Sequence, residues 1–254
     1  MGHGRHVTRP DVEPLVREVF ARTPNGCGHR QVLMALRHEF GVAISAKSVL
    51  RVMRRLGLRC AIRRANPWRR YSSYRGDEGP RVANVLARDF TATGAWQKLG
   101  TDVTEFRLAD GKAYLAPVYD MHTCEIVAWD LSRHPDLAQQ KRLLRRLTRV
   151  MPEGRTPVLH SDMGWQYQHA WWRQRLAAMG VVQSMSRKGN CLDNAPTEGL
   201  FGHLKDELWR GRRMTFRQLK REMTAYMDHW NNQRRQKRLQ GHTPVEYRNM
   251  TLKT

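Results

Sequence analysis

The stretch LHSDMGWQY, residues 159–167, ends an apolar run on an aspartate, Asp162, which follows a histidine and a serine and precedes a glycine. Two other carboxylates stand in comparable places. Asp102 lies in KLGTDVTEFRL, a segment rich in β-branched residues, and Glu198 comes just after Pro196, which fits the first turn of a helix. Between Asp162 and Glu198 lie 35 residues. Carboxylate oxygens are the donors that hard divalent cations demand, a part that Lys and Arg cannot take. Such acids stand out here, because the 254 residues include 45 Lys and Arg against 23 Asp and Glu, a formal charge of +22.

That charge points to a polyanionic partner, since excess Lys and Arg releases the counterions condensed on nucleic acid and steers encounter with it. By charge alone, ribosomal and membrane-surface proteins share the pattern. No apolar run approaches the length of a membrane span, and MGHGRHVTRP lacks the apolar segment of a signal peptide, so the expected location is the cytoplasm, in association with the nucleoid. Cys27, Cys60, Cys124 and Cys191 form no CxxC pair, which argues against a zinc ribbon or a disulfide framework; Cys27 with His29 would be half a metal site.

Three short helices are expected in the first 60 or so residues. Val12, Leu15, Val16, Val19 and Phe20 recur at helical spacing, as do Val32, Leu33, Leu36 and Phe40. Ser45 suits the N-cap of a third helix with Val49, Val52, Met53 and Leu56 on one face and Gly57 as its stop. Lys47, Arg51, Arg54 and Arg55 make its other face, which fits either a solvated surface or the last helix of a helix-turn-helix laid on DNA. The following RRANPWRRYSSYRGDEGP is basic, rich in turn residues and carries Trp68, Tyr71 and Tyr74, as a linker tracking phosphates or a plain tether would. From about residue 95 the periodicity changes. KLGTDVTEFRL, KAYLAPVYDM and EIVAWDLS read as strands, a helix carrying Leu137, Leu144, Leu147 and Met151 follows, TPVLHSD and VVQSMS read as further strands, and AWWRQRLAAMG between them reads as a helix. Consecutive strands followed by alternating helix and strand predict an α/β chain with a mixed sheet covered by helices. The division expected is a helix-turn-helix DNA-binding domain over 1–62, a basic linker over 63–93 and a catalytic core with a C-terminal helical tail over 94–254.

GTDVTEF, HSDMG and DNAPTEGLFGHLKDEL, in that order, resemble the three acidic motifs of DDE transposases and retroviral-type integrases, and most closely those of the second-frame proteins of the IS-three family of bacterial insertion sequences. YLAPVYDMHTCEIVAWDLS, SMSRKGNCLDNA, the tail WNNQRRQKRLQGHTPVEYR and the helical segment NGCGHRQVLMALRHEFGVAISAKSVLRVMRRLGL extend the resemblance over nearly the whole chain. The resemblance implies an RNase H-like core in which Asp102, Asp162 and Glu198 bind two Mg²⁺ ions, with Mn²⁺ able to substitute, and catalyse DNA strand cleavage and strand transfer. Two such ions stabilise the charge developing on both the entering and the leaving oxygen of an in-line displacement. It implies as partners the element's terminal inverted repeats and target DNA, a homo-oligomer on that DNA, and an upstream-frame protein joined as a fusion or acting as a partner. Lys205, seven residues beyond Glu198, would share its helix face and touch DNA near the reactive phosphate, while Leu200, Leu204 and Leu208 would pack on another side. Lys188 and Asn194, from the turn-rich loop before that helix, and Arg51, Arg54 and Arg55 complete the expected DNA contacts. Two other readings share these features: a catalytically silent DNA-binding regulator derived from a transposase, and a metal-dependent nuclease that stops at hydrolysis.

Other acids carry less weight. Asp120 occupies a strand-end position outside the triad and reads as structural. Glu105, two residues past Asp102, shares its sheet face. Asp193 and Asn194 suit loop shaping and helix capping, and His160 suits a hydrogen-bonding core group rather than a base. The chain departs from the family pattern at Met163, at Leu99-Gly100 where the family has a tryptophan that Trp96 would replace, at Cys27-Gly28-His29-Arg30, and at Gly199 and Gly202, each of which weakens a helix by about 1 kcal/mol relative to Ala.

Overall fold

A computed structural model describes residues 9–60, 82–186, 194–210 and 212–252. Most of the expected linker, with its aromatic residues, and Lys188 lie outside the described residues. Chain contacts gather into two compact units, one of residues 1–66, 202–212 and 221–254, the other of residues 67–201 and 213–220.

In the first unit, α1 (Arg9–Ala21), α2 (His29–His38) and α3 (Ala46–Arg55) form as the apolar spacing predicts. Val16, Val32, Leu36 and Val49 are fully buried in one core. Ser45 caps α3 by accepting the Ser48 N–H at 3.1 Å, and Gly57 follows the helix at φ +68°, a conformation that costs a residue with a Cβ. The same unit takes in residues from the C-terminal helices. Glu207 lies in a π-helical turn, Lys205–Trp209, and is fully buried; Arg234 holds it through three N–H bonds of 2.7–3.1 Å, and the Tyr226 hydroxyl donates to it at 2.8 Å. Asn25, in the turn before α2, donates its side-chain N–H groups to the Asp206 and Arg210 carbonyls and its backbone N–H to the Glu207 carbonyl. Arg235 in turn bridges Glu39, which ends α2, to Glu246 in α9 (Pro244–Thr251). The RR pair of the tail is thus spent on internal ion pairs.

The second unit is built on a mixed sheet of β1 (Lys98–Thr101), β2 (Thr104–Leu108), β3 (Gly111–Asp120), β4 (Ile126–Ser132), β5 (Val158–Ser161) and β6 (Val182–Met185). β3 runs antiparallel to β4 on one edge and to β1 and β2 end to end on the other. β5 adds parallel to β1, and β6 parallel to β5. This is the RNase H-like arrangement. Helix α4 (Leu137–Val150) leads from β4 to β5, and α5 (Trp165–Gln168) and α6 (Ala170–Ala178) lead from β5 to β6. Leu143, Leu144 and Leu147 of α4 and Trp172 and Leu176 of α6 bury against Leu99, Val118, Ala128 and Leu159 of the sheet. Helix α7 (Ala195–Leu204) follows, with α8 (Phe216–Asn232) beyond it.

One expected strand is broken. KLGTDVTEFRL forms β1 and β2 with Asp102 and Val103 between them, opposite Ala116 and Pro117. Pro117 has no N–H to offer the ladder, and the Val103 N–H turns back to the Asp102 carboxylate at 2.7 Å. The gap is where Asp102 leaves the sheet.

Burial pushes the Glu207 carboxyl up, and Arg234 with Tyr226 more than offsets it, holding the group below the usual carboxylate range. Its contribution to stability is therefore present above the unfolded carboxylate pKa and lost as pH falls through the lower folded value. Arg234→Met leaves that buried charge unpaired and is expected to cost about 3–5 kcal/mol at pH 7. Because the unpaired carboxyl then titrates above its unfolded value, the cost shrinks as pH is lowered toward 5. Urea denaturation of both chains across this range checks it; a cost independent of pH is inconsistent with the pair.

Candidate active site at the strand ends

β1 and β5 are parallel, with Gly100 opposite His160. Asp102 and Asp162 are each the first residue beyond Thr101 and Ser161, the last of their strands, so they occupy matched positions at the carboxyl ends of neighbouring parallel strands. Adjacent strands lie about 4.8 Å apart, and in open α/β sheets this end is where ligands bind. Asp162 accepts the Gly164 N–H at 2.9 Å, which closes the turn into α5. The Tyr167 ring is fully buried nearby, and its hydroxyl is pushed well above its ordinary pKa by burial and then by the negative charge of Asp102 and Asp162.

The third acid arrives with α7. The Thr197 hydroxyl oxygen rests against Gly100 so closely that a Cβ there would lie 2.7 Å from it and 3.1 Å from the Met121 methyl. Gly100 is thus the socket that seats the first turn of α7 on β1, and a tryptophan or any larger residue at that position would unseat it. Trp96 is buried in the sheet core instead. From the residue before α7, Asn194 donates its side-chain N–H to Asp102 Oδ2 at 3.2 Å. Glu198 follows Thr197 with its side chain exposed.

The structure therefore brings Asp102 and Asp162 to one sheet end and seats the start of the Glu198 helix on the same strand, but it does not close the three into one cluster. Among the described residues, no three His, Cys, Asp or Glu side chains stand close enough to hold a metal ion together. Burial pushes the carboxyls of Asp162 and Glu198 up. Neither has an ion-pair partner among the described residues, whereas Glu39, Glu105, Asp110, Glu207 and Glu246 are all held below their ordinary values with Arg or Lys partners. In so basic a chain, oxygen donors kept clear of Arg and Lys are a donor set that suits a hard divalent cation.

The remaining candidates separate cleanly. Asp120 is almost fully buried and accepts the N–H groups of Trp96, His122 and Thr123, a structural part. Glu105 is taken up by Lys112 and the Tyr114 hydroxyl. His160 is fully buried between Ser184 and Ser186. Burial pushes the Cys27 thiol up to about 12, which leaves it inert rather than ligating. On α3, Lys47, Arg51, Arg54 and Arg55 are all exposed, but the Arg55 guanidinium pairs with Glu13. Lys205 opens the π-helical turn and is half-buried.

Residues 92–191 match the integrase core domain family, residues 198–252 match a second integrase core domain family, and residues 9–66 match an HTH-like domain. The chain is 39% identical over 254 residues to the putative transposase InsK for insertion sequence element IS150 of Escherichia coli, covering 98% of this chain and 88% of that protein. It is 31% identical over 253 residues to the transposase InsF for insertion sequence IS3A of the same species, covering 98% and 85%. The chain belongs to the IS-three family of insertion-sequence transposases. The chain is also 43% identical over 212 residues to an uncharacterized transposase-like protein of Haemophilus influenzae, covering 83% of this chain and 96% of that one. In this transposase, Asp102 and Asp162 fall inside the first integrase-core match, and Glu198 begins the second.

Sequence reasoning missed the parts played by Gly100, Thr197 and Tyr167. A glycine in a strand marks a close approach, but nothing in the sequence says that Thr197 is what approaches. Gly100→Ala is expected to destabilise the chain by about 1–3 kcal/mol through overpacking. Adding Thr197→Ala removes the colliding oxygen, so the double variant is expected to recover part of that loss, with a coupling of about 0.5–3 kcal/mol in a double-mutant cycle by urea denaturation. Strict additivity would mean that the two residues do not meet.

Proposed function

We propose that this transposase cuts and joins DNA strands by cation-assisted phosphodiester chemistry at the end of β1 and β5, with Asp102, Asp162 and Glu198 as the residues that hold the cations. The observation that carries the reading is the matched placement of Asp102 and Asp162 on paired parallel strands. Two Mg²⁺ ions, for which Mn²⁺ could substitute, would supply charge stabilisation for the entering and leaving oxygens when bound. Asp102 and Asp162 supply anionic oxygens from fixed strand ends, and Glu198 supplies the third from the first turn of α7. Water first cleaves the phosphodiester at an element end, its oxygen joining phosphorus while the 3′-oxygen departs with a proton. The freed 3′-hydroxyl then attacks a target phosphodiester, losing its proton as the displaced 3′-oxygen gains one. Bond energy is conserved in that exchange, so no nucleotide cofactor is called for.

On this reading residues 1–62 bind the terminal inverted repeats, with Arg51 and Arg54 on the exposed face of α3 reaching phosphates; Arg55 joins them only by leaving Glu13. Lys205 and Lys188 contact DNA near the core of 94–254, and the basic stretch 63–93 spans between. The protein acts in the bacterial cytoplasm at the nucleoid, as a homo-oligomer on DNA and together with an upstream-frame protein. Among the described residues no helix is long and apolar enough to cross a membrane. The separation of the Glu198 carboxylate from the aspartate pair gives one reason to keep the catalytically silent regulator as a second reading; metal-dependent nicking distinguishes the two, and joined products exclude a nuclease that stops at hydrolysis.

Asp162→Asn and Glu198→Gln are expected to lower cleavage of a terminal-repeat duplex with Mg²⁺ by at least about 10³-fold, a loss of roughly 4 kcal/mol of transition-state stabilisation, and to leave DNA affinity unchanged. Normal cutting by either variant overturns the assignment. Arg51→Ala and Arg54→Ala are expected to weaken DNA binding with cutting of bound DNA intact, each reducing the slope of log affinity against log salt by about 1; an unchanged slope removes α3 from the DNA contact.

A further inference from the structure

We infer that Asn194 is a positioning residue for Asp102, holding that carboxylate in place to receive a divalent cation, rather than a DNA contact. The inference rests on the reading of Asp102 as a cation ligand. Each oxygen of Asp102 is fixed from a different side: Oδ1 accepts the Val103 N–H at 2.7 Å, and Oδ2 accepts the Asn194 side-chain N–H at 3.2 Å. The first bond is local and belongs to the strand break. The second ties the carboxylate to the start of α7, the helix that carries Glu198.

Two features separate this from the ordinary work of an asparagine before a helix. An asparagine serving as an N-cap turns its side-chain oxygen to a backbone N–H of the first turn. Here the Asn194 side-chain oxygen, buried in a residue only 4% exposed, accepts no hydrogen bond among the described residues, while the N–H end of the amide faces Asp102. The cap is forgone for the carboxylate. The same burial withdraws the amide from the surface where a DNA phosphate would have to reach it, against the DNA contact expected from sequence. A buried amide acceptor without a donor beside a carboxylate is the kind of group that accepts a hydrogen bond from the hydration shell of a cation, which Mg²⁺ largely retains on binding. Since Thr197 is seated on Gly100 three residues later, the position of Asn194 is set by the same docking that brings up Glu198.

The test is calorimetric titration of MgCl₂ into the full chain without DNA, paired with duplex binding in EDTA and with melting temperatures. Asn194→Leu fills the volume but cannot donate. It is expected to weaken Mg²⁺ binding on the order of tenfold, as loss of a group that orients a metal ligand does, with affinity for terminal-repeat DNA in EDTA unchanged. Asn194→Asp sets a second carboxylate against Asp102, so its melting temperature is expected to fall without Mg²⁺ and to rise more than that of the parent chain when Mg²⁺ is added. Mg²⁺ binding by Asn194→Leu equal to the parent would overturn the inference, as would loss of DNA affinity in EDTA with Mg²⁺ binding intact. If Asn194→Leu does not fold, the Mg²⁺ dependence of melting in Asn194→Asp decides alone, and a rise no larger than that of the parent overturns the inference. Asp102→Asn is the control that keeps the failures apart: if it binds Mg²⁺ as the parent does, the assignment of Asp102 as a ligand falls.

Discussion

Parallel pairing of β1 with β5 is the constraint from which the site follows. Two aspartates far apart in the chain reach the same end of the sheet only because the strands before them run in one direction and in one register. A slip of one residue would move every side chain of β5 to the other face and carry Asp162 out of step with Asp102. That register is held from both sides, by the antiparallel ladder of β1 with β3 and by the parallel ladder of β5 with β6, and His160 pins β5 to Ser184 within it.

The second determinant is electrostatic. With a formal charge of +22, this chain finds a basic partner for most of its buried or half-buried acids. Glu207 with Arg234, Glu246 with Arg235 and Asp130 with Arg142 and Arg146 serve to hold helices and strands together. Asp162 is left with the cost of burial and no such partner among the described residues, which is the arrangement a buried anion adopts when something else supplies the positive charge, and the exposed Glu198 likewise has no ion-pair partner among them. Beside them, Asp102 accepts from the Val103 N–H and from the Asn194 side chain.

Much of this was legible in the sequence. The apolar spacing fixes α1 to α3, Ser45 announces the start of α3, and the alternation of strands with helices gives the mixed sheet. The order of the three acidic motifs gives the family. What could not be read were features that depend on residues meeting across the fold. The interruption between β1 and β2 arises from Pro117 on the opposite strand, and the seat of α7 from a glycine and a threonine nearly a hundred residues apart. The RR of the tail has the composition of a DNA contact, yet burial beside Glu207, Glu39 and Glu246 turns it to internal pairing. Arg55 likewise counts as part of a basic face until Glu13 is found beside it.

Whether the Glu198 carboxylate joins the aspartate pair when cations and DNA are present is the point on which the account stands. A crystal structure of the chain with Mn²⁺ and a terminal-repeat duplex, phased on the manganese anomalous signal, addresses it directly. The account predicts manganese at the carboxyl ends of β1 and β5, with oxygens of Asp102, Asp162 and Glu198 all within about 2.5 Å of a metal, close to the oxygen distances usual for such cations. Manganese bound elsewhere, or a Glu198 side chain still turned to solvent with DNA in place, would contradict it.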